Sequence, residues 1–477
     1  MVSMSKSSTS RFDQIVIGAG AAGLAAARSA RRRGSVLLVE SRRPGGDCTF
    51  TGCVPSKTLM ETARRAAHVR KQDRRGITAQ VAVDFTQVMQ HVREMVEQIA
   101  ADESPQQLRE EGIHLLEGTA AFLSHDEIEV NGVSYRAERF VLATGSRPLL
   151  PVIDGLADVS PLTNETVFHL TEAPRRLAII GGGAVGCELA QGFARLAIPT
   201  LLLDSRERLL PDEEPEASAV VAEALTSDGV TITTGASVSR MSRGIRITLD
   251  NGAEEDASHV LVATGRRAET AALNLKAAGV ETLPDGRIMV DDRGRTTRKH
   301  IVAAGDCAES LRFTHVADEQ GRQRASKASW PSQQRFRRSV VPWVTFTDPE
   351  VGRVGLTEQE AFQQYGERAR IAYFPMAHSD RARCSDQTGG FVKLIAAPRA
   401  FVGSVGGGRL VGMTAVAAAG GEMIAEAAVV MRSGAMAGRL AQTIHAYPTW
   451  SLTVRQAAAA WFTGGDRAAR EHPAVGE

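Results

Sequence analysis

Cys48 and Cys53 lie five positions apart in the run GGDCTFTGCVPSK, residues 45–57. In a regular α-helix that spacing separates the Cα atoms by roughly 7.5 Å, beyond the roughly 6.8 Å limit for an unstrained disulfide. The pair can close only where the backbone departs from a helix. Pro55 has no N–H and suits the first turn of a following helix, so the chain can bend just ahead of it. A bridge closed under such bending is easily reduced. The alternative is two free buried thiols, but the flanking Gly45-Gly46 and Pro55-Ser56-Lys57 are not needed for core packing and favour a redox pair. Cys187, Cys307 and Cys384 have no partner at a telling spacing and read as small packing residues.

The elements around this pair carry two matched units. Residues 12–18 (FDQIVIG) read as a buried parallel strand, followed by Gly18-x-Gly20-x-x-Gly23, an alanine-rich helix to Arg33 and a second strand, residues 35–40, ending in an acid. The glycines permit a tight turn close to a pyrophosphate, the helix N-terminus favours its charge, and Glu40 can accept from a ribose hydroxyl. The pattern recurs as residues 177–181 (LAIIG), Gly181-x-Gly183-x-x-Gly186, a helix through Leu196, and residues 199–204 ending in Asp204. Two such units hold two dinucleotides. Asp204 would bond an adenosine ribose and repel a 2′-phosphate, which favours NADH over NADPH. Arg206 and Arg208 follow closely enough to serve a phosphate instead. Ala143-Thr144-Gly145-Ser146 and Ala263-Thr264-Gly265-Arg266 each end an apolar strand as matched repeats, and residues 301–306 (IVAAGD) set Asp306 where it could bind the polyol chain of a flavin, unless this is an ordinary strand-end turn.

At 477 residues the chain is long enough for about three domains. Its 56 basic and 55 acidic residues leave a net charge of +1, so no long-range field points to nucleic acid or to an anionic membrane. The basic clusters at 31–33 and 335–338 read as solvated faces, the first at a helix C-terminus where positive charge complements the dipole. Five cysteines make no secreted disulfide framework, the first eleven residues lack the apolar core of a signal peptide, and no apolar run of transmembrane length appears. A soluble, cytoplasmic protein is expected.

Taken in order, the first GxGxxG, the CxxxxC with Pro55-Ser56-Lys57, the second GxGxxG and the Gly305-Asp306 segment resemble the class I pyridine nucleotide–disulfide oxidoreductases over nearly the whole chain. The resemblance implies a glutathione-reductase-like α/β fold with two Rossmann-like domains and a C-terminal α+β dimerisation domain. It implies an FAD-binding domain at 1–160 completed by 276–341, an NAD(P)-binding domain at 161–275 and a dimerisation domain at 342–477. In such enzymes hydride passes from nicotinamide to flavin, and the reduced flavin opens the disulfide. By this match Cys53 is the thiol nearest the flavin, Cys48 meets substrate, and Lys57 and Glu188 form an ion pair beside flavin and nicotinamide. Gly118, Thr119 and Ala120, and the segment Thr314 to Ala317, align with flavin-contacting positions. Ala317 would present a backbone N–H at a helix start, where a dipole stabilises negative charge, while His315 reads as structural.

Thiol-specific members of the family carry a His-Pro pair, then Glu four residues after the proline, and the histidine works as acid and base across the dimer. Here Tyr447, Pro448 and Leu452 stand at those places. Protonating a released thiolate at neutral pH suits an imidazole near pKa 6.5 far better than a phenol near 10. His445, two residues upstream, is a candidate substitute, but members of the family often carry a spectator histidine there. Mercuric reductases resemble this segment in carrying a tyrosine, and thiolate sulfur selects soft metal ions, which need no proton donor when they accept electrons. The vicinal C-terminal cysteines of that branch and its N-terminal metal-binding domain are absent from this sequence. The expectation is a homodimeric FAD enzyme passing electrons from NADH, with NADPH as the other option, to a metal ion or other small electrophile. A dihydrolipoyl-dehydrogenase-type thiol enzyme and a flavin redox carrier or sensor are the alternatives. Trp330-Pro331, within the stretch 318–341, is expected to interrupt a helix.

Overall fold

A computed structural model describes residues 10–70, 76–77, 79–325 and 336–463. Trp330-Pro331, Arg335 and the C-terminal residues 471–477 lie outside the described residues.

Short apolar runs become parallel strands covered on both faces, as their lack of alternation requires. Gln14 to Ile17, Val36 to Val39 and Leu177 to Ile180 are buried without interruption. The first sheet runs His114–Glu117, Val36–Glu40, Ser10–Ile17, Val133–Leu142, Glu127–Val130, Ala120–Phe122, and Ile301–Ala303 joins it parallel to Val133–Leu142. A four-stranded parallel sheet follows, ordered Val230–Thr233, Thr200–Leu203, Leu177–Ile180, His259–Val262. The C-terminal part is a five-stranded antiparallel sheet, Pro342–Thr345, Glu350–Gly355, Arg409–Ala417, Phe391–Ala397 and Arg370–Pro375, packed by the helix Gly420–Ser433. The architecture is mixed α/β, with the two parallel sheets built as the glycine motifs require.

The matched repeats have a shared purpose. Ser146–Pro148 and Arg266–Ala268 pair antiparallel, so the segments following each Ala-Thr-Gly stitch the first sheet's exit to the second's.

One core holds the thiol-bearing helix against the second nucleotide unit. Leu59 and Ala63 of helix Cys53–Arg70 share a buried cluster with Leu189 and Phe193 of helix Ala184–Arg195. Each large side chain buried there contributes about 1.5–3 kcal/mol. Gly192 keeps the helices close, since a Cβ on it would lie 2.9 Å from the Met60 sulfur. This contact fixes the height of Lys57 relative to Glu188. No helix among the described residues is long and apolar enough to cross a membrane.

Candidate active site

The segment bearing the cysteines is broken where their spacing demands. A short helix Gly46–Phe50 carries Cys48, Thr51 leaves helical geometry at φ −140° and ψ 7°, and a new helix starts at Cys53 with Pro55 in its first turn. Both cysteines are free thiols in this structure, with Cys53 exposed and Cys48 half-buried. They are hydrogen-bonded to each other, and the bond makes them unequal. Cys53 is lowered to about 6, first because Cys48 donates to it, then because the Thr314 hydroxyl lies 3.3 Å from its sulfur and Lys57 stands nearby, with burial opposing. Cys48 is pushed far up by the same bond to Cys53 and by burial. At neutral pH the pair is therefore a Cys53 thiolate beside a Cys48 thiol.

Lys57 Nζ lies 2.9 Å from Glu188 Oε2, and Glu188 Oε1 accepts from the Phe346 N–H at 2.8 Å. Glu188 is 5% exposed, and the Lys57 ammonium also sits 4.4 Å from the Phe346 ring centroid. The carboxylate is thus held on one side by a cation and on the other by the backbone that joins the strands Pro342–Thr345 and Glu350–Gly355 of the C-terminal sheet.

The two glycine loops are near copies. Gly18 and Gly181 take φ +98° and +113°, and a Cβ on either would strike the Ala143 or Ala263 carbonyl within 2.5 Å. Gly23 and Gly186 admit no side chain because the carbonyls of Gly18 and Gly181 would lie 1.7 and 1.8 Å from it. Gly20 and Gly183 cap their helices with no side-chain hydrogen bond and face open space, Gly20's nearest neighbour being Gly46 at 3.8 Å. The helix N-terminal N–H groups are left for a phosphate.

Around the first loop, Glu40 ends its strand with Oε2 accepting from Ala19 N at 2.6 Å and Oε1 from Arg42 N at 2.8 Å. It lines a cavity of about 330 Å³ with Arg42, Phe50, Glu103 and Glu117. The Thr144 hydroxyl is buried without a hydrogen-bond partner, and Gly145 beside it, at φ +73°, has nothing within 4 Å of a Cβ. Asp306 accepts from the Ser146 hydroxyl at 2.6 Å, and burial raises its pKa. Ala120 packs its side chain into the sheet core, so only its backbone faces outward chemistry. Ala317 corrects an expectation: its N–H donates to Phe313 O at 3.0 Å, one turn inside the helix Thr314–Ala325. The N–H groups that a helix leaves free there are those of Thr314, His315 and Val316.

Around the second loop, Asp204 is held by Gly182 N and by Arg206, whose N–H, Nε and guanidinium reach it at 2.8, 3.0 and 3.0 Å. The arginine keeps its carboxyl below the usual range against burial. Arg208 is not free to swing toward a ligand, since its guanidinium is spent on the Ser218 hydroxyl and the carbonyls of Pro211 and Glu213. Gly265, like Gly145, has open space at its Cβ position.

Tyr447 is 71% exposed, and its hydroxyl donates to Asp380 at 3.0 Å, which raises its pKa. His445 has both ring nitrogens engaged, Nδ1 on Thr443 O at 3.0 Å and Nε2 on Glu426 Oε2 at 3.0 Å. Nδ1 must donate to a carbonyl, so one proton lies between Nε2 and the carboxyl, and burial raises Glu426 toward keeping it. Sequence reading missed Glu426, Asp380, Asp47 and Arg266. Only Arg266 left a signal, by following the second Ala-Thr-Gly as Ser146 follows the first.

Two nucleotide loops, a dithiol with one acidified sulfur, and an ion pair between them define a flavin- and nicotinamide-dependent disulfide oxidoreductase. Residues 12–321 match the pyridine nucleotide-disulphide oxidoreductase family and residues 341–458 its dimerisation domain. The chain belongs to that family. It is 36% identical to mercuric reductase of Streptomyces lividans over 94% of this chain and 95% of the relative. Identity is 33% to dihydrolipoyl dehydrogenase of Thermus scotoductus, covering 94% and 97%. Among solved structures, the HOCl-induced flavoprotein disulfide reductase RclA of Escherichia coli superimposes with a TM-score of 0.83 at 26% identity, covering 94% of this chain and 99% of that one. The family is FAD-dependent and uses NAD(P)H, and the residues here fit such groups: an orphaned buried hydroxyl at Thr144 and two uncapped glycine cradles await partners.

Proposed function

We propose that this enzyme takes hydride from NADH and delivers the electrons through Cys48 and Cys53 to a soft metal ion or another small electrophile that needs no proton. The loop Gly18 to Gly23 with Glu40, Thr144, Gly145 and Asp306 would hold FAD. The loop Gly181 to Gly186 with Asp204 and Gly265 would hold the nicotinamide dinucleotide. Bound there, FAD supplies the relay that accepts hydride and returns an electron pair to the disulfide. The chain's own part is to keep Cys53 ionised through Cys48, Thr314 and Lys57, and to present Cys48 as the thiol that meets the acceptor. Lys57 and Glu188 would lie where the two cofactors meet. A homodimer in the cytoplasm, with Tyr447 reaching the thiols of the other copy, completes the reading.

The observation that carries the choice of acceptor is the bonding of His445. With Nδ1 on a carbonyl and Nε2 on Glu426, this imidazole has no nitrogen to offer a departing thiolate. Tyr447, made a weaker acid by Asp380, is a poor replacement. Two cysteine sulfurs, one of them already ionised, suit a soft cation. A solved complex of the Escherichia coli disulfide reductase carries Cu(II), which adds support. Steady-state NADH oxidation with Hg(II), Cu(II), quinones, glutathione disulfide and lipoamide is the test. Lipoamide turnover on the order of 10 per second or more would overturn the metal-first order in favour of a dihydrolipoyl-dehydrogenase-type enzyme.

Asp204 supports NADH, and Arg206, bonded to it along one edge, reinforces rather than replaces that acid. A lower KM for NADPH than for NADH would reverse this part.

A further inference from the structure

Asp47, next to Cys48, binds the bend that separates the two thiols. Its Oδ1 accepts from the Thr51 hydroxyl and from Asn164 Nδ2 at 3.0 Å, while Oδ2 lies 2.7 Å from the Arg266 guanidinium. Asn164 Nδ2 also donates to the Thr51 carbonyl at 3.1 Å, and the Thr51 N–H returns to the Asp47 carbonyl at 2.9 Å. Gly52 completes the bend, with so little room that a Cβ would lie 2.9 Å from Asp47 O.

The far anchors are informative. Asn164 follows Leu162, which bridges to Leu261 of the four-stranded sheet, and Arg266 lies just past that sheet's last strand, His259–Val262. They mark where the chain reaches and leaves the nucleotide sheet. Arg266 is itself fixed by the Ser146 hydroxyl at 2.7 Å and the Ser146 carbonyl at 2.9 Å, and the same hydroxyl donates to Asp306. One hydrogen-bonded chain therefore runs from Asp306 through Ser146, Arg266 and Asp47 to the bend.

We propose that Asp47 is a positioning residue that sets Cys48 against Cys53 by locking the Thr51-Gly52 bend to Asn164 and Arg266. The inference rests on reading Cys48 and Cys53 as the redox pair. Its effect falls on one sulfur. Helix Cys53–Arg70 is held by Leu59, Met60 and Ala63 in the core, whereas the short helix Gly46–Phe50 buries only Thr49. Truncating Asp47 removes the acceptor of Thr51, Asn164 and Arg266 together, so Cys48 gains freedom while Cys53 stays.

The test compares wild type with Asp47→Ala, Asp47→Asn and the gentler Thr51→Val. Iodoacetamide alkylation of each cysteine in the reduced protein is followed by mass spectrometry, with and without flavin. Cys48 alkylation is expected to rise about fivefold or more in Asp47→Ala and less in the other two, with no rise at Cys53, whose thiolate loses part of the support that Cys48 gives it. In the holoenzyme kcat should fall about tenfold while KM for NADH holds, and adding Arg266→Ala to Asp47→Ala should change little further. Cys48 rates within about twofold of wild type in both Asp47→Ala and Thr51→Val would overturn the proposal, as would a parallel rise at Cys53 with a lowered Tm. If NADH fails to expose new thiols at 48 and 53 in the wild type, the redox-pair reading itself falls, which is a separate failure.

Discussion

The Lys57 ammonium lies 2.9 Å from the Glu188 carboxylate, tying the helix that begins at Cys53 to the helix that opens on the second glycine loop. The two charges act on the Cys53 sulfur with opposite signs, Lys57 lowering its pKa and Glu188 raising it. Lys57→Met should therefore move the thiolate titration upward and Glu188→Gln should move it downward, measured by thiolate absorbance near 240 nm against pH. Lys57→Met also leaves a buried carboxylate with only the Phe346 N–H, at a cost of about 1–3 kcal/mol, visible as a lowered Tm. Shifts in the same direction for both variants would refute the electrostatic account.

Cys53 owes its acidity first to the hydrogen bond from Cys48. The group is depressed in the folded protein, so the thiolate is present above about pH 6 and is lost as pH falls through that value. In Cys48→Ala the donor is gone, and the midpoint should climb toward the ordinary thiol range near 8.5. Thr314→Val should raise it less. A Cys48→Ala midpoint still near 6 would mean that another group holds the thiolate.

Much of this site was legible because local geometry forces residue types. Gly18 and Gly181 need positive φ beneath a carbonyl, and Glu40 and Asp204 end strands that must face a glycine loop, so spacing alone located them. The five-residue cysteine spacing likewise foretold the broken helix. Partnerships between distant segments were not legible. Asp47 meets Arg266, and Glu426 meets His445, only through packing that no periodicity encodes. Arg208 looked available for a phosphate until its carbonyl partners appeared. Ala317 lies one turn inside its helix, because spacing alone does not place a helix start to within a few residues.

His445→Ala separates the two acceptor classes. If His445 only ties the Tyr447 loop to Glu426, its loss should lower Tm, by leaving a half-buried carboxyl short of its hydrogen-bond partner at about 1–3 kcal/mol, while NADH-driven Cu(II) reduction stays within about threefold. The converse outcome is an unchanged Tm with lipoamide turnover abolished. That result would make the imidazole a working acid and revive the thiol enzyme.

The nicotinamide preference turns on which way Arg206 faces. In this structure its guanidinium lies along Asp204, with about half its surface exposed, and the aspartate gives Oδ2 to the Gly182 N–H of the glycine loop and Oδ1 to the Arg206 N–H. A ribose diol can share that carboxylate without disturbing the pair. A 2′-phosphate must instead draw Arg206 away and meet a bare carboxylate, a like-charge contact in a half-buried site. Asp204→Ala should thus raise KM for NADH about tenfold or more, the worth of a charged hydrogen bond, and lower KM for NADPH because Arg206 is released. Arg206→Ala should weaken NADPH further and leave NADH within about threefold. Steady-state kinetics on the four combinations of variant and cofactor decide it, and a loss of NADH use in Arg206→Ala equal to that in Asp204→Ala would show that the arginine, not the acid, reads the ribose.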